Sequence, residues 1–158
     1  MEARTFLTKI NQTPQEIIHL LQREMPKIMA DYPVAVVYLY GSLVREQMTP
    51  FSDVDIALIT KHTLPSLARL NLELDIEMEL SAINIPQADA RVINLAPLIV
   101  QGRVATEGVL LFSNNEEKRV AFETQIRSQY FDLQPVLREQ WRTYVALNLN
   151  NLQTRGLL

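Results

Sequence analysis

Residues 37–60 read Val37-Tyr38-Leu39-Tyr40-Gly41-Ser42-Leu43-Val44-Arg45-Glu46-Gln47-Met48-Thr49-Pro50-Phe51-Ser52-Asp53-Val54-Asp55-Ile56-Ala57-Leu58-Ile59-Thr60. An apolar run of strand length ends in a Gly-Ser turn, ten residues follow, and an Asp-x-Asp pair opens a second apolar run. Both runs are rich in β-branched and aliphatic residues, which favours strands over helices at this length. Successive strand side chains point to opposite faces, so Asp53 and Asp55 project to the same side, where two carboxylates repel each other in a poorly hydrated cleft. A divalent cation relieves that repulsion, and oxygen ligation of this kind suits Mg²⁺ or Mn²⁺. The plainer reading makes Gly41-Ser42 an ordinary turn and the two aspartates a solvated edge.

Working outward, Thr13-Pro14-Gln15-Glu16 is a capping box with Pro at the first helical position, and it predicts a helix from about 14 to 31, kinked near Pro26. The first strand spans 34–40, and the second 53–59. Between them, residues 43–48 are expected to form a short helix whose N-terminus holds Ser42, with free backbone N–H groups facing any phosphate bound there. Beyond Pro65, Leu67, Leu70, Leu74 and Met78 recur at helical spacing and are read as the buried stripe, with Glu73, Glu77 and Glu79 on a solvated face. A third strand is expected over about 89–95, a helical segment from Pro97, and a short edge strand over Val109–Phe112. Ser113-Asn114-Asn115-Glu116 is a second capping-box pattern, opening a helix through about Tyr130. Pro135 is expected to end that periodicity, leaving Val136–Asn150 as a final helix and Leu152–Leu158 frayed. Trp141, the single tryptophan, is read as a packing or partner-contact residue.

Composition narrows the function classes. A chain of 158 residues suffices for one domain with a sizeable core, and 47% hydrophobic against 21% charged residues favours a folded state. Without cysteine there is neither a disulfide nor a thiolate metal site, which fits a reducing cytoplasm. A net charge of −3 argues against nucleic acid as the chief ligand. His19 and His62 have no ligand spacing, and four glycines cannot assemble a Walker loop or a dinucleotide fingerprint. The N-terminus carries no signal-peptide apolar stretch, and no apolar run approaches membrane-spanning length.

The Gly41-Ser42, ten-residue, Asp53-x-Asp55 pattern resembles the minimal nucleotidyltransferase family, small relatives of the polymerase-beta-like superfamily. Arg45, Thr49-Pro50 and Ser52 also sit where that family commonly has Arg, small or Pro residues, and Ser; Glu46 replaces a frequent Gly. Asn94–Leu98, Val104–Phe112, Lys118-Arg119 and Tyr130–Leu133 look like downstream segments of the antitoxins that pair with HEPN-domain ribonuclease toxins. The similarity runs over roughly residues 13–135. It implies an α+β, polymerase-beta-like nucleotidyltransferase fold, a small mixed sheet flanked by helices with C-terminal helices. The chain is then one nucleotidyltransferase domain over 1–158, with its core at about 13–112 and a helical segment at about 114–150.

The resemblance also implies a site. Asp53 and Asp55 would hold Mg²⁺ or Mn²⁺, and Gly41, Ser42, Arg45 and Ser52 would hold the phosphates of ATP. The superfamily usually adds a third carboxylate from the next strand; Asp89, at the head of the third strand, is the candidate for catalysis and metal binding. A lone Asp before a strand is also a common turn residue, so both readings of Asp89 stand. The expected function is transfer of AMP from ATP to a hydroxyl, a tyrosine of a HEPN toxin, in an antitoxin located in the cytoplasm and bound to its toxin, without direct contact to nucleic acid or membrane. The alternatives are neutralisation of the toxin by binding alone, and nucleotidyl transfer to a small molecule.

Overall fold

The computed structural model describes residues 12–45, 52–85 and 87–154, with backbone alone for 148–154. Helix α1, Pro14–Ile28, begins at the expected capping box: the Thr13 hydroxyl accepts the Glu16 N–H, and Glu16 Oε2 accepts the Thr13 N–H at 2.7 Å. Its stripe Ile17, Leu21 and Met25 is fully buried, and the predicted last turn is a separate 3-10 turn, Met29–Asp31. Strands β1, Val34–Tyr40, and β2, Val54–Thr60, pair antiparallel and form the centre of a four-stranded sheet. Nearly every residue of both is buried, because helices cover both faces.

Helix α2, Ser66–Ala82, leads to β3, Ala88–Val92, which lies parallel to β2. Helix α3, Leu98–Glu107, is followed by β4, Val109–Ser113, antiparallel to β1, and by α4, Glu116–Thr154. The order β3-β2-β1-β4 makes the sheet mixed and puts β4 on the edge, as expected. Below the sheet, Val37, Leu39, Val54, Ile56 and Leu58 pack with Ile17, Leu21, Ile76 and Leu80 of α1 and α2. Above it, Val36, Tyr38, Ala57 and Ile59 meet Val104 of α3 and Phe122 of α4.

Five sequence expectations fail here, each for a local reason. The α2 stripe Leu67, Leu70, Leu74 and Met78 faces outward, with Leu67 71% and Met78 70% exposed; the buried stripe is Leu72, Ile76 and Leu80, on the opposite side of the helix. Glu73 and Glu77 are not a solvated face. Glu73 is 6% exposed and accepts the Val92 N–H at 2.9 Å, while Glu77 accepts the Ala90 N–H at 3.1 Å. Two carboxylates one turn apart thus satisfy the outward N–H groups that an edge strand leaves unpaired. Strand β3 is shorter than the predicted 89–95, because the Asn94 side chain bonds both the N–H and the carbonyl of Thr60 and turns the chain away.

Pro135 does not break α4, which runs on to Thr154. Its ring removes the hydrogen bond to the Phe131 carbonyl, but residues 131–147 lie largely in solvent, where water can serve that oxygen. The cap of α4 is also displaced: Asn115 Oδ1 accepts the Lys118 N–H at 2.9 Å. The predicted short helix over 43–48 is described only to residue 45, where residues 41–45 form a turn; 46–48, Glu46 and Thr49-Pro50 lie outside the described residues. The expected fraying of Leu152–Leu158 lies partly outside them as well. Among the described residues, no helix is long and apolar enough to cross a membrane.

Candidate active site

Three sequence-distant positions meet in one row across the sheet. In the strand registers, Tyr40 at the end of β1 pairs with Asp55 of β2, and Asp55 pairs with Asp89 of β3. Strand alternation therefore sends all three side chains to the face shared with Tyr38, Ala57 and Ile59, and Asp53, one residue before β2 begins, lies near enough for its charge to act on Asp55. Asp53 is exposed and Asp55 half-buried.

Gly41 closes the row. Its φ of +81° lies in the left-handed region, where a side chain is disfavoured, and a Cβ there would overlap the Asp55 carboxylate. Glycine therefore lets the turn and the carboxylate occupy adjoining space. Leu43, 1% exposed within the lower core, anchors the turn. The Gly41 carbonyl accepts the Arg45 backbone N–H at 3.4 Å and the Arg45 Nε–H at 3.3 Å, folding residues 41–45 over the end of β1. Ser42 is half-buried in this turn, and Ser52 half-buried beside Asp53 at the mouth of β2.

Burial, and after it the charges of Asp89 and Asp53, push the Asp55 carboxyl above its ordinary value; Arg45 acts the other way. Burial together with Asp55 and Asp89 also raises the Tyr40 phenol, with Arg91 opposing. Tyr40 is thus a polar member of the site that the motif alone did not single out, since it read as one more apolar strand residue. The signal was its position immediately before Gly41.

Among the described residues, no three acidic side chains converge as a ready-made metal cage. Asp89 is turned along its own strand into an ion pair with Arg91, 2.7 Å from Nε to Oδ1. The donor set nonetheless fits Mg²⁺, which commonly takes one or two protein carboxylates and completes its shell with water and substrate phosphates. Asp55, partly desolvated and repelled by two like charges, is the group that a cation would stabilise most.

A parallel and antiparallel mixed sheet with paired carboxylates beside a Gly-Ser turn defines a nucleotidyltransferase architecture. The family model described as polymerase beta, nucleotidyltransferase, matches residues 15–117, well over half of the chain, and the chain belongs to that family. Its fold is also that of a chain in a toxin–antitoxin structure with AMP-PNP, at 23% identity over 78% of this chain and 98% of that one, with a TM-score of 0.62. A chain of the tri-AMPylated Shewanella oneidensis HEPN toxin in complex with MNT antitoxin is similar at 22% identity, over 81% and 98%, with a TM-score of 0.60. A chain of the MntA–HepT toxin–antitoxin matches at 22% identity, over 80% and 98%, with a TM-score of 0.59. At these identities the likeness is one of fold. No curated protein is significantly similar to the chain in sequence.

Proposed function

We propose that the protein is an antitoxin that transfers AMP from ATP to a tyrosine hydroxyl of a HEPN ribonuclease toxin, acting as one nucleotidyltransferase domain in the cytoplasm. The observation that carries the transfer reading is the Tyr40–Asp55–Asp89 row closed by a glycine that only a missing Cβ allows against Asp55. The shared fold of the MntA–HepT and HEPN–MNT complexes supports the choice of partner.

In this reading Asp53 and Asp55 hold Mg²⁺ or Mn²⁺, which when bound neutralises phosphate charge and makes the incoming hydroxyl more acidic. The Gly41-Ser42 turn presents backbone N–H groups and a hydroxyl to the β- and γ-phosphates, with Arg45 and Ser52 at its two flanks. Asp89, once free of Arg91, accepts the proton of the attacking tyrosine hydroxyl. The new bond joins that oxygen to the α-phosphorus, the bond from the α-phosphorus to the bridging oxygen breaks, and pyrophosphate leaves. Tyr40, beside Asp55 and Asp89, lines the floor of the site.

The test is incubation of the purified protein with α-labelled ATP, Mg²⁺ and a HEPN-domain partner. Label and a mass gain of AMP on a partner tyrosine are expected; an unlabelled partner overturns the reading. The Asp89–Arg91 pair favours one second reading, neutralisation by binding alone. A tight complex that blocks ribonuclease activity with no mass gain would establish it instead.

A further inference from the structure

Arg91 is an unusual neighbour for a site expected to gather cations. It follows Asp89 by two residues on β3 and so shares its face, and its register partner on β2 is Ala57, too small to fill the space above it. The guanidinium reaches back to Asp89, with Nε 2.7 Å from Oδ1, and its other arm lies 3.6 Å from Glu73 Oε2 on α2. Glu73 is fixed by the Val92 N–H, so one end of the chain of charges is anchored in the core. The Arg91 and Asp89 side chains are 51% and 39% exposed, yet Asp89 Oδ1 itself is buried against the guanidinium with no hydrogen bond, leaving that oxygen to a charge contact alone.

We propose that Arg91 is a positioning residue that holds Asp89 out of the cation-binding set, and that Glu73 determines how firmly it does so. The inference rests on the assignment of Asp53 and Asp55 as the cation site. Asp89 offers a carboxylate to either the guanidinium or a divalent cation, and a guanidinium in contact also repels a cation through the same space. Glu73 draws off part of the Arg91 charge. Removing the Arg91 charge should therefore strengthen cation binding, whereas removing the Glu73 charge should leave Arg91 wholly committed to Asp89 and weaken it.

Equilibrium binding of Mn²⁺, followed by electron paramagnetic resonance in the absence of nucleotide, separates these directions. Arg91→Gln should tighten Mn²⁺ by about 10-fold, the exposed setting keeping the gain well below that of a buried charge. Glu73→Gln, which retains an oxygen for the Val92 N–H, should loosen it by about threefold with little change in melting temperature. Opposite shifts from the two variants that vanish in an Asp89→Asn background support the proposal, because plain charge repulsion gives the same signs with or without the Asp89 carboxylate; shifts that persist in that background overturn it. Loss of Mn²⁺ binding in Asp53→Asn/Asp55→Asn, together with unchanged or weaker binding in Arg91→Gln, overturns the inference and leaves the site assignment standing. Mn²⁺ binding that survives Asp53→Asn/Asp55→Asn overturns the assignment beneath it. If Arg91→Gln does not fold, Arg91→Lys with Glu73→Gln decides: unchanged affinity in the glutamine variant rejects the proposal.

Discussion

One methyl group at position 41 should silence the site. Gly41→Ala puts a Cβ onto the Asp55 carboxylate and strains a backbone at φ +81°, a conformation that costs an L-residue roughly 1–2 kcal/mol. The expected outcome is loss of nucleotidyl transfer with a lower melting temperature, measured with α-labelled ATP and by thermal unfolding. Asp53→Asn/Asp55→Asn should abolish transfer for a different reason, removing charge at constant volume, and should leave the melting temperature unchanged or raised, since two repelling carboxylates are neutralised. Asp89→Asn should lower the single-turnover rate by about 10²-fold or more, with ATP affinity little altered; a rate within about threefold of the parent rejects a proton-transfer role. The Gly-Ser and Asp-x-Asp elements were legible because strand alternation and turn chemistry are local properties. Arg91 and Asp89 were legible as same-face neighbours but not as an ion pair, since only the register over Ala57 gives the guanidinium room to turn back.

At the level of elements, α2 shows how a sequence pattern misleads. The helix carries two apolar stripes: Leu67, Leu70, Leu74, Met78 and, on the other side, Leu72, Ile76, Leu80. Periodicity cannot rank two stripes, and only the first was read from the sequence; Glu73 and Glu77 flank the second. Those glutamates belong there because the neighbouring strand is an edge with N–H groups to satisfy. Ile76→Ala should therefore cost about 2–5 kcal/mol in denaturant unfolding, while Leu67→Glu and Met78→Glu should each stay within about 0.5 kcal/mol of the parent. A large loss from Leu67→Glu would reverse the assignment of faces. The remaining elements were legible in kind and order, down to the edge position of β4, and α1 formed where its capping box and Pro14 predicted, whereas α4 was misread at its cap and at Pro135 and β3 in its length.

For the whole molecule, the apolar contact of Phe122 with the sheet is joined by a polar tie between sheet and long helix. The Tyr38 hydroxyl of β1 donates to Glu123 Oε1 of α4 at 2.6 Å, and Arg119 and Arg127 lie 2.9 and 3.4 Å from the same carboxylate. Burial alone would raise the Glu123 carboxyl, but the bonds from Tyr38 and Arg119 outweigh it and hold the group below its ordinary value of 4.5. A depressed carboxyl contributes stability above the ordinary value and loses it as pH falls through the folded one. The melting-temperature gap between parent and Glu123→Gln should therefore be full at pH 7 and shrink below about pH 4.5. A gap independent of pH would show that Glu123 contributes by shape alone.

Pro135 carries a consequence for timing. With its ring inside α4 and the Phe131 carbonyl deprived of its intrahelical partner, the helix has a seam near the point where packing on α3, through Tyr130 against Gly102, gives way to solvent. Before the seam the inner face of the helix is packed through Phe122, Ile126 and Tyr130 on the sheet and α3, so opening must break that packing, whereas amides after it open with little more than helix fraying to resist them. Deuterium uptake should accordingly split one continuous helix into two clocks. Amides from about Val120 to Tyr130 should exchange more slowly, and those from Val136 to Thr154 almost as quickly as in a free peptide.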